Sequence, residues 1–205
     1  FILNEGNYQA GNSTLSYYDP SKKTVENGVF SRANDRKLGD TGQSVILRGT
    51  DAFIAVENSG IIWKIDATTF KVRGQLDSKS TGGKMINPRY IHFISDTKAY
   101  ATDLYAPYIT VFNPQTMEYI KSIPTGQEVV EQYASTEEMV QYGKYVFTNC
   151  WSYSNKILVI NAEKDVVDGE ITLPSMQPKS MKLDKNGKIW VITDGGYQGS
   201  EYGDD

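Results

Sequence analysis

Ile62-Trp63-Lys64-Ile65-Asp66-Ala67 decides how this chain folds, because the same pattern returns three more times. It stands earlier as Leu15-Ser16-Tyr17-Tyr18-Asp19-Pro20. It stands later as Ile109-Thr110-Val111-Phe112-Asn113-Pro114 and as Ile157-Leu158-Val159-Ile160-Asn161-Ala162. The Asp or Asn falls at 19, 66, 113 and 161, giving spacings of 47, 47 and 48 residues. Six residues on come Val25, Val72, Tyr119 and Val167, and ten residues on come Val29, Leu76, Ile123 and Ile171. A fixed period of this length marks stacked supersecondary units.

A second register runs upstream of the first. Phe53-Ile54-Ala55-Val56-Glu57, Ala99-Tyr100-Ala101-Thr102-Asp103, Tyr145-Val146-Phe147-Thr148-Asn149 and Ile189-Trp190-Val191-Ile192-Thr193-Asp194 each end in a polar residue. Ile2-Leu3-Asn4-Glu5 fits as the first member, with a longer loop behind it. Each unit reads as four short strands. In the third unit these are Tyr90 to Ile94, Ala99 to Thr102, Tyr108 to Phe112 and Tyr119 to Ile123. The residues are β-branched or aromatic, and no long helical period competes. Asn113-Pro114-Gln115-Thr116 carries turn chemistry, since an Asx side chain accepts local backbone bonds and Pro pre-sets φ. Lys185-Asn186-Gly187 marks a hairpin in the fifth unit.

Four antiparallel strands per unit of this size predict an all-β fold, a β-propeller with four-stranded blades. The units span approximately 1–42, 43–86, 87–133, 134–177 and 178–205 of one propeller domain. The chain opens on a second strand and stops after a second strand. About four and a half blades of a seven-bladed ring are therefore expected, with some two and a half more needed for closure.

Composition narrows the function. Of 205 residues, 22% are charged, the net charge is −4 and the mean hydropathy is −0.46. No stretch approaches the ~18 apolar residues of a membrane span. A slightly acidic chain with scattered Lys and Arg does not offer the basic face that nucleic acid needs. Arg32, Arg36 and Lys37 form the one small basic cluster and read as a solvated loop. A lone cysteine, Cys150, excludes a disulfide framework and a Cys-based zinc site. Tyrosine outnumbers phenylalanine 14 to 7, and its apolar ring with a polar tip suits half-exposed binding surfaces.

The loops joining second to third strands, and fourth to first, should lie on one face. They are the longest and most aromatic, with Tyr8, Tyr105, Tyr108, Tyr133, Trp151, Tyr153, Tyr197 and Tyr202 on them. Loop length and aromatic content together point to a binding face. The polar column Glu5, Glu57, Asp103, Asn149 and Asp194 admits two readings. Its side chains could satisfy loop N–H groups of the neighbouring unit, or ring the channel and bind a ligand's amides or hydroxyls. The spacing of a calcium loop is missing, and no metal site is expected. His92, the single histidine, falls in a predicted first strand and reads as structural. There is no glycine-rich phosphate loop and no nucleophile elbow. The expectation is a non-enzymatic protein without a catalytic cofactor.

Phe1-Ile2-Leu3-Asn4-Glu5-Gly6-Asn7-Tyr8, then Gly11-Asn12-Ser13-Thr14-Leu15-Ser16-Tyr17-Tyr18-Asp19, resembles the start of the YncE-like propeller lipoproteins of Bacteroidetes. Trp190-Val191-Ile192-Thr193-Asp194-Gly195-Gly196-Tyr197 fits the same group. This group includes the vitamin B12-binding surface protein BtuG, a seven-bladed propeller that passes cobalamin to the TonB-dependent outer-membrane transporter BtuB. The resemblance implies a corrinoid ligand, a BtuB-like transporter as partner and an outer-membrane lipoprotein at the cell surface, its anchor absent from this chain. Tyr8, Asp103, Tyr105, Tyr108, Tyr133, Asn149, Trp151, Tyr153, Asp194, Tyr197 and Tyr202 are the expected ligand-binding residues. The alternatives are a surface propeller for a glycan or protein partner, and a propeller hydrolase or lyase.

Overall fold

A computed structural model describes residues 1–131, 133 and 135–204. The chain folds as successive antiparallel sheets, one per sequence repeat. The first holds β1 (Ile2–Asn4), β2 (Thr14–Asp19) and β3 (Thr24–Glu26), followed by α1 (Val29–Asn34). The second holds β4 (Gly42–Arg48), β5 (Asp51–Val56), β6 (Ile61–Asp66) and β7 (Val72–Asp77). The third holds β8 (Pro88–Phe93), β9 (Ala99–Asp103), β10 (Tyr108–Asn113) and β11 (Glu118–Pro124). The fourth holds β12 (Met139–Tyr142), β13 (Tyr145–Asn149), β14 (Lys156–Asn161) and β15 (Val166–Thr172), and the fifth β16 (Pro178–Leu183) and β17 (Ile189–Thr193). Strand order within each sheet follows the chain, so every blade is a meander. These are the blades of a partial β-propeller.

The blades stack face to face, and the second strands of the second and third blades, β5 and β9, are buried on both sides. In β5, Ala52, Ile54 and Val56 pack toward the first blade with Leu15, Phe30 and Trp63. The alternate residues Phe53 and Ala55 pack toward the third, against Ile91, Ala99, Ala101, Phe112 and Met117. Tyr100, Ile109, Val111 and Ile123 then meet Val146 and Ile160 of the fourth blade. Side chains alternate across a strand, so a strand that serves two interfaces must be apolar throughout, as β5 is. On the far side of β17, Trp190 and Ile192, counterparts of Phe53 and Ala55, are 65% and 69% exposed.

The Asp/Asn column builds one turn four times. Asp66 Oδ1 accepts from the backbone N–H of Thr68 (2.8 Å) and Thr69 (2.7 Å), and Asn113 Oδ1 from Gln115 (2.9 Å). Asp19 and Asn161 do the same for their own turns. Four positions on, Lys23, Phe70, Met117 and Asp165 all adopt positive φ, between 53° and 62°. A bulge recurs just before the turn, at Lys64/Ile65, Val111/Phe112 and Val159/Ile160.

The first blade departs from the expected pattern. Val29 does not extend an outer strand; β3 ends at Glu26, and Val29 opens the short helix α1. Gly28, at φ 63°, turns the chain out of the strand. Val29 and Phe30 are then buried, with Phe30 5.4 Å from the Trp63 ring. Asn34 fixes the helix to the second blade, donating to Phe70 O and accepting from Val72 N. The connection from the first blade to β4 therefore begins as helix.

Candidate functional site

The first strands converge from blade to blade, β1 (a second strand) beside β4, β4 beside β8, β8 beside β12, and β12 beside β16. Their upper ends carry bulges. Register shifts between Gly42 and Ser44, between Pro88 and Ile91, and between Pro178 and Ser180. A bulge leaves a residue unpaired and re-aims its side chain. The residues so released include Gln43, Arg89 and Lys179.

Arg89 is the centre of the arrangement. Its Nε donates to both oxygens of Glu137, at 2.9 and 3.1 Å, and its Nη1 donates to Gln43 Oε1 at 2.8 Å and to Glu57. Gln43 and Glu57 belong to the second blade and Glu137 leads into the fourth, so one guanidinium clasps three blades. All three charged groups are largely buried. Burial pushes the Glu137 carboxyl up to about 7, although the Arg89 charge opposes the shift. The two neighbouring carboxylates hold Arg89 protonated against its own burial.

An open cavity of about 610 Å³ lies above this clasp. Glu5, Tyr8 and Thr41 reach it from the first unit, Gln43 and Glu57 from the second, Arg89, Leu104, Tyr105 and Tyr133 from the third, and Trp151 from the fourth. The Lys179 ammonium lies 4.2 Å from the Trp151 ring centroid and 3.5 Å from Asp194. The indole N–H of Trp151 is buried and has no partner among the described residues.

Tyrosines extend from the cavity as a continuous arc. Tyr105 lies 5.2 Å from Tyr133, Tyr133 lies 5.6 Å from Tyr153, and Tyr153 lies 4.9 Å from Tyr197 and 5.1 Å from Tyr202. Burial and the Tyr133 neighbour push the Tyr105 hydroxyl up to about 12, so it stays a neutral donor. Tyr153 is held at φ 58°, a backbone state that costs a bulky residue energy and is found where a side chain must be aimed.

Of the eleven residues singled out in the sequence, Tyr8, Tyr105, Tyr133 and Trp151 line the cavity, and Tyr153, Tyr197 and Tyr202 continue the arc. Tyr108 stands apart, with the Lys84 ammonium 5.5 Å from its ring. Asp103 is buried, its oxygens taken by the backbone N–H groups of Ile86, Asn87, Tyr105 and Ala106 at 2.7–2.9 Å. Ile86 and Asn87 lie on the connection from the second blade into the third, and Tyr105 and Ala106 on the loop behind β9, so Asp103 braces a loop of the neighbouring unit together with its own. Burial pushes its pKa up while the four donors pull it back. Asn149 is buried and donates to Pro178 O at 2.5 Å. Asp194 is exposed and holds Gly196 N–H at 3.0 Å. Cys150 is buried, its thiol pushed up to about 12 by desolvation. His92 is bonded to Gln141 at 2.9 Å and is not among the residues lining the cavity.

Sequence reasoning missed Gln43, Arg89, Glu137 and Lys179. A signal was present in the repeat. Gln43 and Arg89 each precede a member of the polar column, Glu57 and Asp103, by fourteen residues, and Lys179 precedes Asp194 by fifteen. The bulge that aims these side chains has no residue signature of its own.

Solved structures share this architecture at low identity. The Cps50 (Swd1) β-propeller domain of Myceliophteria thermophila superposes with a TM-score of 0.67 at 12% identity, over 90% of this chain and 57% of that one. Saccharomyces cerevisiae Sqt1 gives 0.68 at 11%, over 90% and 51%. Kuenenia stuttgartiensis hydrazine synthase gives 0.60 at 21%, over 74% and 40%. The chain thus spans between two fifths and three fifths of the length of these structures. No curated protein matches the sequence. The family model described as "Domain of unknown function (DUF5074)" matches residues 1–197, and with nearly its whole length inside that match, the chain belongs to the DUF5074 family.

Proposed function

We propose that this propeller is a non-enzymatic cell-surface binding protein that captures a corrinoid, cobalamin, and delivers it to a BtuB-like TonB-dependent outer-membrane transporter. The observation that carries the reading is the tyrosine arc from Tyr105 to Tyr202 beside the cavity of about 610 Å³. A corrin is a broad, partly apolar disc fringed with amides. Tyrosine rings give it rigid contact area, and their hydroxyls, with Gln43 and Arg89, offer partners to the fringe. The resemblance of the opening residues to the YncE-like lipoproteins of Bacteroidetes supports the surface location and the transporter partner. The bare Trp190 and Ile192 face supports further blades toward a seven-bladed ring.

A glycan is the second reading, since stacked tyrosines also suit sugar rings. A hydrolase or lyase is disfavoured by His92, whose ring is engaged by Gln141 outside the cavity lining. Titration calorimetry of the full-length protein with excess cyanocobalamin tests the proposal. Heat of binding at micromolar protein is expected, and none would sink the corrinoid reading.

A further inference from the structure

We infer that Arg89 presents a hydrogen-bond donor selective for a neutral carbonyl oxygen, so that the cavity takes a ligand's amide at this point and refuses a carboxylate. Three of the guanidinium's five N–H groups are engaged. Nε is taken by Glu137, and Nη1 by Gln43 and Glu57. Nη2 makes no hydrogen bond among the described residues, while Arg89 itself lines the cavity. The two donors that remain belong to a cation whose charge is already matched by its neighbouring carboxylates.

Charge then decides what can bind. At pH 8, where Glu137 is ionised, Glu57 and Glu137 against Arg89 leave a local excess of negative charge, and Glu5 adds another carboxylate to the same cavity. Lys179, over the Trp151 ring that lines the cavity, is matched by Asp194 at 3.5 Å. A ligand carboxylate would meet a neutralised guanidinium and uncompensated like charge in a site partly withdrawn from water, where such repulsion is strong. An amide carbonyl brings an acceptor with no charge. Arginine at a site for anions is ordinarily left free to pair with the ligand. Here the protein supplies its own carboxylates first.

This selectivity rests on the corrinoid reading for its main probe, cyanocobalamin, and the test separates the two. Cyanocobalamin and the monocarboxylates made by hydrolysing one peripheral amide at a time are titrated against the full-length protein and its Glu57→Gln variant. The acid at the position facing Arg89 should bind roughly tenfold or more weakly than the parent amide, as like charge at an interface demands. Glu57→Gln should narrow that ratio, which a purely structural clasp would not. Equal affinity for every monocarboxylate, or a ratio unmoved by Glu57→Gln, overturns the inference while leaving corrinoid capture standing. In a second arm, protein labelled with ¹⁵N-arginine is titrated with propionamide and with propionate, and the Arg89 side-chain signals are identified by their loss in Arg89→Lys. Shifts with the amide and not the acid are expected even where cyanocobalamin fails to bind. The acid shifting these signals as far as the amide overturns the inference on its own.

Discussion

The Arg89 Nε donates to both carboxylate oxygens of Glu137, at 2.9 and 3.1 Å, and so fastens the third blade to the approach of the fourth. Arg89→Met would strand Glu137 and Glu57 in a buried setting with no cation. Removing one member of a buried ion pair costs about 3–5 kcal/mol. Urea denaturation at pH 8 should show a loss of that order. The loss should be smaller at pH 5, where Glu137 can take up a proton instead. A loss that does not change with pH would mean that Glu137 is not the group left unpaired.

The same carboxyl sets a pH dependence. Its folded pKa, near 7, lies above the ordinary glutamate value of 4.5 because it is buried. The folded state therefore holds more protons than the unfolded state between those values. Stability from this group is fully present below about 4.5 and is lost as pH rises through about 7, by an amount on the order of 3 kcal/mol. Asp77, Asp165 and Glu138 act the other way, because hydrogen bonds hold them below their ordinary range. Their contribution is present above the ordinary carboxylate values and is lost in acid. Denaturation curves collected from pH 4 to 8 should show a maximum on the acidic side of neutrality. Glu137→Gln should flatten the limb above it.

The repeated turns give a prediction that the sequence itself suggests. Asn113→Asp should be tolerated, since Asp19 and Asp66 fill the same position and accept the same backbone bonds. Asn113→Ala removes the acceptor for Gln115 N–H and should cost about 1 kcal/mol. Thermal melts of the two variants decide it. Equal melting temperatures would mean that the positive φ at Met117, and not the Asx bond, fixes the turn.

Much of this architecture was legible because a propeller writes its geometry as a period. The Asp/Asn column foretold four turns that the structure builds with the same acceptor and the same positive-φ residue. The apolar runs, such as Phe53 to Val56, foretold strands, and the structure buries this one on both faces. Two features carry no such signal. Val29 sits in the column of outer-strand residues yet opens a helix, because Gly28 breaks the strand and Phe30 finds a place over Trp63. The polar column was a position without a fixed role: Glu57 pairs with Arg89, Asp103 braces the connection from the second blade and the loop behind β9, and Asn149 reaches the next blade. Which of these a residue does depends on what the bulged strand beside it presents, and bulges are set by pairing across strands, not by neighbours in sequence.

Tyr153 joins the structural and functional parts of the problem. It touches Tyr133, Tyr197 and Tyr202 at centroid distances of 4.9–5.6 Å, more partners than any other ring of the arc. It is also held at φ 58°, where a bulky side chain costs roughly 1–3 kcal/mol. Tyr153→Gly would relieve that strain while giving up ring contacts of comparable size, about 0.5–1.5 kcal/mol per aromatic pair. Stability should therefore stay within about 1–2 kcal/mol of the parent. Corrinoid affinity should fall by roughly tenfold or more, since a central aromatic anchor of a binding face is worth about 2 kcal/mol or above. Tyr153→Phe should keep most of it, because the ring and its backbone state are unchanged. Calorimetry with cyanocobalamin alongside urea melts of both variants separates the effects. Unaltered affinity in Tyr153→Gly would move the ligand off the arc and confine it to the cavity between Tyr8 and Trp151.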